Sequence, residues 1–322
     1  MQAVSTARMV YVDLGRTDEY ASWVQNIDFV EVTDADLDNT TYESAENQYF
    51  KNEYDRAISG FENYLQRFPN GIHSINANFY LGQMYFRNGN KQKAAANYRS
   101  VADKPKNEFT EDALSRLSEI LLENKNYREA VSYLERLEKE ASSEQNVIFA
   151  QSNLMKSYLE LDQPGKAATY ADKVLANSES DSEARNDARV IVARAAFASG
   201  NMSKAKSAYS EVQKTAKGEL AAEALYYDAY FKNESGNYEA SNAAVQILAK
   251  DFSGYKRWGA KGLVLMADNF YELDDAYQAT YILENVINNF SNYPEIVQEA
   301  KQELSRIKTE EAKTNSSVEA NN

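Results

Sequence analysis

SAENQYFKNEYDRAISGFENYLQRFP, residues 44–69, decides the fold. Ala45, Gln48 and Tyr49 fall on one face of a helix that ends near Asn52. A second helix opens at Tyr54, carries Ala57, Ile58, Phe61 and Leu65 at helical spacing, and is stopped by Pro69. The unit is a helical hairpin. Ala45 and Ala57 are placed where the two helices approach each other, since larger side chains would force them apart.

The same grammar recurs outward from this copy. It returns as LGQMYFRNGNKQKAAANY at 81–98, LSEILLENKNYREAVSYL around Ala130, LMKSYLELDQPGKAATYA around Ala167 and VARAAFASGNMSKAKSAY around Ala205. Two further copies are LYYDAYFKNESGNYEASNAAV and VLMADNFYELDDAYQATYIL, and ARMVYVDLGRTDEYASWV at 7–24 is a degenerate first copy. Taking Tyr20, Ala57, Ala94, Ala130, Ala167, Ala205, Ser241 and Ala279 as equivalent gives a step of roughly 37 residues, in the range of helical-hairpin repeats. Departures are Ser241 in place of alanine, DQPG at 162–165 in place of a regular turn, and the acidic stretch DFVEVTDADLD at 28–38.

Composition agrees. The chain has 322 residues with 4 Pro, 12 Gly and no Cys, so helix breakers are scarce. The expected organisation is a degenerate hairpin at 1–27, an acidic connector at 28–38, seven hairpins over 39–293, a capping helix at 294–312 opened by Pro294, and a disordered tail at 313–322. The segment MQAVSTARMVYVDL starts inside a hairpin and offers Val4, Met9 and Val12 without a preceding neighbour. The expectation is a fragment of a longer array, or an end covered by another chain.

These small and aromatic positions, with Pro69 closing the best copy, resemble the tetratricopeptide repeat family over about 3–292. The resemblance implies an all-α fold, a tetratricopeptide-type α-α superhelix or solenoid of helical hairpins. The segment AENQYFKNEYDRAISGFENYLQRFPNGIHSINANFYLGQMYFRNGN is similar to tetratricopeptide proteins of the bacterial envelope, including outer-membrane assembly lipoproteins and the coordinator associated with the Tol-Pal system. GRTDEYASWV and AKGLVLMADNFYELDDAYQATYILENVINNF resemble the C-terminal part of large tetratricopeptide proteins of Bacteroidetes. A periplasmic, outer-membrane-associated adaptor is what this implies, although no secretory signal is read in the chain.

In the resembled family the first helix of each hairpin lines a groove for peptides or helices. Carried over by register, the groove candidates are Tyr42, Glu46, Tyr49 and Phe50, then Phe79, Gln83, Phe86 and Arg87. Glu119, Lys156, Arg194, Tyr230, Asp268 and Tyr271 follow in later repeats. Aromatics among charges suit a protein ligand, because rings give rigid contact area and charges set orientation. Most of the 23 Tyr and 13 Phe must nonetheless pack between helices. The Lys, Arg and Asn clamp of the chaperone-binding subclass does not fall at matching positions.

Other functions find little purchase. A net charge of -14 opposes nucleic acid, whose phosphates need a basic surface. No run of about 20 apolar residues would insert in a membrane. The single His, His73, sits in PNGIHS without Cys or His partners, and a solvated loop histidine is the simpler account. No metal-ligand spacing or phosphate loop occurs, so neither metal nor cofactor is expected. Pairs such as Glu43 and Glu46 read as solvated helix faces. The chain is therefore read as a non-enzymatic scaffold for other proteins, with self-association through its N-terminal end as a further expectation. The alternatives are a spacer or self-association arm with no groove ligand, and a carboxylate-dependent hydrolase on a helical array.

Overall fold

The computed structural model describes residues 2–27 and 30–320, with side chains described through Lys313. Asp28 and Phe29 of the acidic connector and the last two residues of the tail lie outside the described residues. Among these residues all regular structure is α-helical. The chain divides into two compact units, Met1–Gln163 and Pro164–Asn322.

The first unit pairs α1 (Gln2–Leu14) with α2 (Thr17–Val24), α3 (Asp34–Phe50) with α4 (Tyr54–Arg67), α5 (Ser74–Arg87) with α6 (Lys91–Ala102), and α7 (Thr110–Glu123) with α8 (Tyr127–Glu140). It ends on α9 (Glu144–Glu160). The second opens on α10 (Pro164–Ala176). It then pairs α11 (Ser182–Ala198) with α12 (Met202–Thr215), α13 (Gly218–Asn233) with α14 (Tyr238–Asp251), and α15 (Lys256–Glu272) with α16 (Ala276–Asn289), before α17 (Pro294–Ala320).

Within each unit a helix packs mainly on its neighbours in sequence, with α1 also on α3, α13 on α15 and α15 on α17. This is the contact pattern of repeats that cannot bury an apolar face alone. Ala45, Ala57, Ala77, Ala94, Ala113, Ala130 and Ala150 are all at most 1% exposed, so backbones approach closely along the seams. Phe61, Tyr64, Tyr98, Leu117 and Leu134 fill the space between them, each burial contributing about 1.5–3 kcal/mol. Gly60 of α4 faces Ala45: a Cβ on it would lie 2.9 Å from the Ala45 Cβ, so Gly60 sets this approach.

The turn inside each hairpin is built the same way. One residue takes positive φ at positions 15, 52, 89, 125, 162, 200, 236 and 274, steps of 36 to 38 residues. The next amide then reaches back to the carbonyl five residues earlier, as in Glu53 N to Gln48 O at 2.9 Å and Asn126 N to Leu121 O at 2.8 Å. This Schellman closure satisfies carbonyls that the helix end would leave bare. At Asn90, Asn201 and Asp275 the residue after the positive-φ position also caps the second helix through its side chain.

Several expectations are corrected. DQPG is a regular turn: Asp162 takes φ 55 and Gln163 N reaches Tyr158 O at 2.8 Å. The connector ends sooner than residue 38, because Thr33 and Asp36 form a capping box that starts α3 at Asp34. The final helix continues to Ala320 rather than stopping at 312. TNSSVEA is polar but holds no Pro or Gly to end a helix. Val12 is 3% exposed rather than bare, with its carbonyl accepting from Ser44 Oγ at 2.7 Å, whereas Met9 is 57% exposed.

Candidate protein-binding faces

In the first unit the residues singled out above lie on α3, α5, α7 and α9. Tyr42 and Glu46 come together. The Tyr42 hydroxyl donates to Glu46 Oε1 at 2.7 Å, and its ring stacks on His73 with centroids 4.1 Å apart. Burial, and then Glu46, push the Tyr42 phenol well above its ordinary value. Both residues line a cleft of about 890 Å³ that also takes in Arg8, Tyr20 and Glu43. Arg8 is paired with Glu43 in its wall.

Further along α3, the Tyr49 hydroxyl donates to Gln83 Oε1 of the next repeat at 2.9 Å, and its ring meets Tyr80 at 4.5 Å. Phe50 stands edge-on to Tyr49 and is 64% exposed. The Arg87 guanidinium lies 4.7 Å over the Tyr54 ring, and Tyr54 in turn packs edge-on against Tyr49. Tyr49, Phe50, Gln83 and Arg87 therefore form one aromatic patch with an oriented cation. Arg116 joins Phe86 to Glu119, lying 5.1 Å over the ring and 2.8 Å from the carboxylate. Lys156 is exposed on α9.

Phe79 does not belong to the face. It is 5% exposed and stacks on Phe109 at 4.3 Å. Tyr42 and Phe79 are equivalent one repeat apart, and both are nearly buried, so this register position points inward. Tyr80 takes the outward place that the sequence assigned to its neighbour. Arg116 was also missed; its spacing three residues before Glu119 was the available signal.

In the second unit Arg194 of α11 is bidentate to Glu223 of α13, and the Glu223 carboxylate is buried. That hydrogen bond and charge raise the Arg194 pKa further. Tyr230 stands edge-on to Phe197 at 5.3 Å. Tyr230 and Asp268 line one cleft of about 290 Å³ with Tyr226, Lys261 and Glu299. Asp268 accepts from Asn233 at 2.9 Å and pairs with Arg306 of α17 at 3.3 Å. Tyr271 donates to Glu310 at 3.0 Å beneath the same arginine, so α17 already engages both residues. Glu223 carries no local sequence signal, because its partner lies a repeat away, and the spacing of Glu303 and Glu310 around Arg306 does not reveal its contact with Asp268.

Among the described residues no group of three or more His, Asp or Glu is placed to hold a metal ion, and no helix is long and apolar enough to cross a membrane. What the faces offer chemically is aromatic area, oriented guanidinium groups and carboxylates.

Hairpins at this step, closed by one recurring turn, define an all-α helical-repeat fold of the tetratricopeptide type. Residues 28–152 match the family described as tetratricopeptide repeat-like domain. Comparison with curated proteins gave no match. Among solved structures the chain is similar to a tetratricopeptide repeat protein from Parabacteroides merdae, at 15% identity over 82% of this chain and 98% of that one, with a TM-score of 0.38. It is also similar to the C-terminal part of a repeat-containing protein from Cytophaga hutchinsonii, at 16% identity over 80% and 98%, TM-score 0.43. Pseudomonas aeruginosa pilF matches at 15% identity over 70% and 97%, TM-score 0.41. At this identity the likeness is one of fold alone.

Proposed function

We propose that the chain is a non-enzymatic scaffold whose first-helix faces dock segments of partner proteins, and that it serves the assembly or organisation of bacterial envelope complexes. The observation that carries the docking reading is the patch in the first unit. Phe50 is a large exposed ring held by its neighbours, and Arg87 is fixed beside it on Tyr54. A rigid apolar anchor next to an oriented cation binds with little loss of side-chain freedom. The fold is of a kind that generally works by protein interaction. The envelope placement is supported by the sequence similarity of the 45–90 segment to envelope tetratricopeptide proteins.

The test combines Phe50→Ala, Phe86→Ala and Arg87→Glu, followed by affinity purification from separated envelope and cytosolic fractions. The expected result is recovery of outer-membrane or secretion proteins with the parent chain, and about tenfold less with the variant, as for loss of a hot spot. Helicity and melting temperature should be unchanged. Equal recovery would sink the face assignment, and partners found only in the cytosol would sink the envelope placement.

Met9, Val10 and Leu14, exposed together on α1, favour a second reading as a self-association arm. Sedimentation would show a concentration-dependent dimer abolished by Val10→Glu, while a monomer at all concentrations would exclude it.

A further inference from the structure

The Phe50 and Arg87 patch has a chemical bias beyond its exposed ring. Arginines elsewhere in the first unit, such as Arg8, Arg56, Arg99 and Arg116, sit against carboxylates. Arg87 is exposed and makes no ion pair among the described residues; what holds it is the face of the Tyr54 ring, 4.7 Å away. A ring face offers no lone pair, so the guanidinium is fixed in place while its N–H donors stay free.

The polar neighbours have the same bias. Tyr49 and Tyr54 donate their hydroxyl hydrogens to Gln83 Oε1 at 2.9 Å and to Asn52 Oδ1 at 2.6 Å. Gln83 therefore has its acceptor engaged, and its half-buried side chain presents the Nε2 amide, which has no partner among the described residues. Gln83 lies one turn before Arg87 on α5, so the two sets of donors share a face. Burial, then Tyr54, push the Tyr49 phenol up, and the charge acting against them is that of Arg87. The charges next in line are already matched: Glu53 by Arg56, Glu119 by Arg116, and Lys51 by Asp13.

We infer that this patch recognises an aspartate or glutamate side chain set beside an apolar residue in a segment of a partner protein. This specificity rests on the docking reading of the patch and names what docks there. The Phe50 ring, 64% exposed, receives the apolar residue, while Arg87 and the Gln83 amide receive the carboxylate, donors against lone pairs. A lysine or arginine would bring a like charge to Arg87, and a wholly apolar segment would gain nothing from either donor. A chain terminus would call for more converging charge than one guanidinium, so the carboxylate is that of a side chain.

The test is an NMR titration of the full chain, isotopically labelled, with acetyl-Ser-Leu-Glu-Leu-Ser-amide, its glutamine and lysine counterparts, and acetyl-Ser-Leu-Gln-Leu-Ser with a free C-terminus. The glutamate peptide should shift and saturate the Gln83 side-chain amide and the backbone amides of Phe50 and Arg87. It should bind about fivefold more tightly than the glutamine peptide, the upper scale of a solvent-facing ion pair, and the lysine peptide should be weakest. Arg87→Gln, at an exposed position, should bring the glutamate and glutamine peptides level without altering helicity, and Phe50→Ala should weaken both alike. The inference is overturned if the glutamine peptide binds as tightly as the glutamate one, if the free terminus binds more tightly than the internal glutamate, or if Arg87→Gln keeps the preference. In each of these cases binding at the patch survives, and with it the docking reading. If no peptide moves these signals the inference also falls, and the affinity purification with the parent chain decides the docking reading separately.

Discussion

Glu223 of α13 receives two donors of Arg194 of α11, Nε to Oε1 at 2.8 Å and Nη2 to Oε2 at 2.5 Å, while the Tyr209 hydroxyl of α12 donates to the same Oε1 at 3.0 Å. The two ends differ: the Glu223 side chain is 4% exposed and the Arg194 side chain 50%. Removing the arginine leaves a buried carboxylate short of its cation, whereas removing the charge on Glu223 leaves an arginine that water can reach. Arg194→Ala is expected to cost about 3 kcal/mol and Glu223→Gln about 1–2 kcal/mol, below the value for a fully buried pair. Urea unfolding followed by circular dichroism gives both. The double variant should cost less than the sum, and strict additivity would mean the two side chains are uncoupled.

Alkali is expected to destabilise the chain. Burial pushes the Tyr98 phenol to about 12 and moves those of Tyr42, Tyr64 and Tyr209 upward as well. An unfolded tyrosine ionises near about 10. A folded pKa above the unfolded one gives stability that is fully present below about pH 10 and is lost as pH rises beyond it. The melting temperature should hold level to about pH 9 and then fall, in step with tyrosinate absorbance. A melting temperature that stays level while tyrosinate forms would refute this.

Acid acts through a different group. The Glu111 carboxylate accepts from the Asn146 side chain at 2.8 Å and from the Ser142 and Ser143 backbone amides at 2.8 and 3.0 Å, bonds that hold its pKa below the usual carboxylate range. Its contribution is present above about pH 4.3 and disappears as pH falls through the lowered value. Glu111→Gln should remove part of the acid dependence of the melting temperature while leaving its alkaline side untouched.

The recurring turn can be tuned at single residues. Lys125 holds φ 56, a region that disfavours a side chain, and Gly200 holds φ 76 with open space where a Cβ would be. Lys125→Gly is expected to raise stability, and Gly200→Ala to lower it, each by about 1 kcal/mol. Equal urea midpoints for all three chains would show that turn conformation carries no such cost.

Two glycines inside helices should respond with opposite signs. A Cβ on Gly60 would meet the Ala45 Cβ at 2.9 Å and its Cα at 3.2 Å, so α3 and α4 must separate. Gly60→Ala is expected to cost about 1–3 kcal/mol. Gly259 in α15 has nothing within 4 Å, so Gly259→Ala should stabilise by about 1 kcal/mol. Thermal melts of the pair separate close packing from helix propensity.

The hairpins were legible because small and aromatic residues return at a constant step, and because Pro69 and Pro294 mark a helix end and a helix start. The turns were only half legible. Glycine announces positive φ at 89, 200 and 236, but Asn52, Lys125, Asp162 and Asp274 adopt it under the pull of the Schellman bonds, which is why DQPG looked irregular. Among face residues Phe50 and Arg87 could be placed from register, whereas Phe79 and Tyr80 differ by one position on a helix, about 100° of rotation, and only packing decides between them. Pairs such as Arg194 with Glu223 and Asp268 with Arg306 join helices of different repeats, so no local spacing reveals them.

Ser241 stands where six other repeats carry alanine. Its hydroxyl donates to Ala229 O at 2.8 Å and accepts from Asn269 Nδ2 at 2.9 Å, and Asn269, fully buried, also donates to Asn242 and accepts from Asn233. Similar hairpins invite mispairing, since an apolar seam fits any of its cousins about equally well. The amide of Asn269 does not: beside an alanine it would lose one of its partners in a dry interior. These few polar atoms therefore act as an address, fixing which hairpin follows which in a chain whose greasy contacts are close to interchangeable.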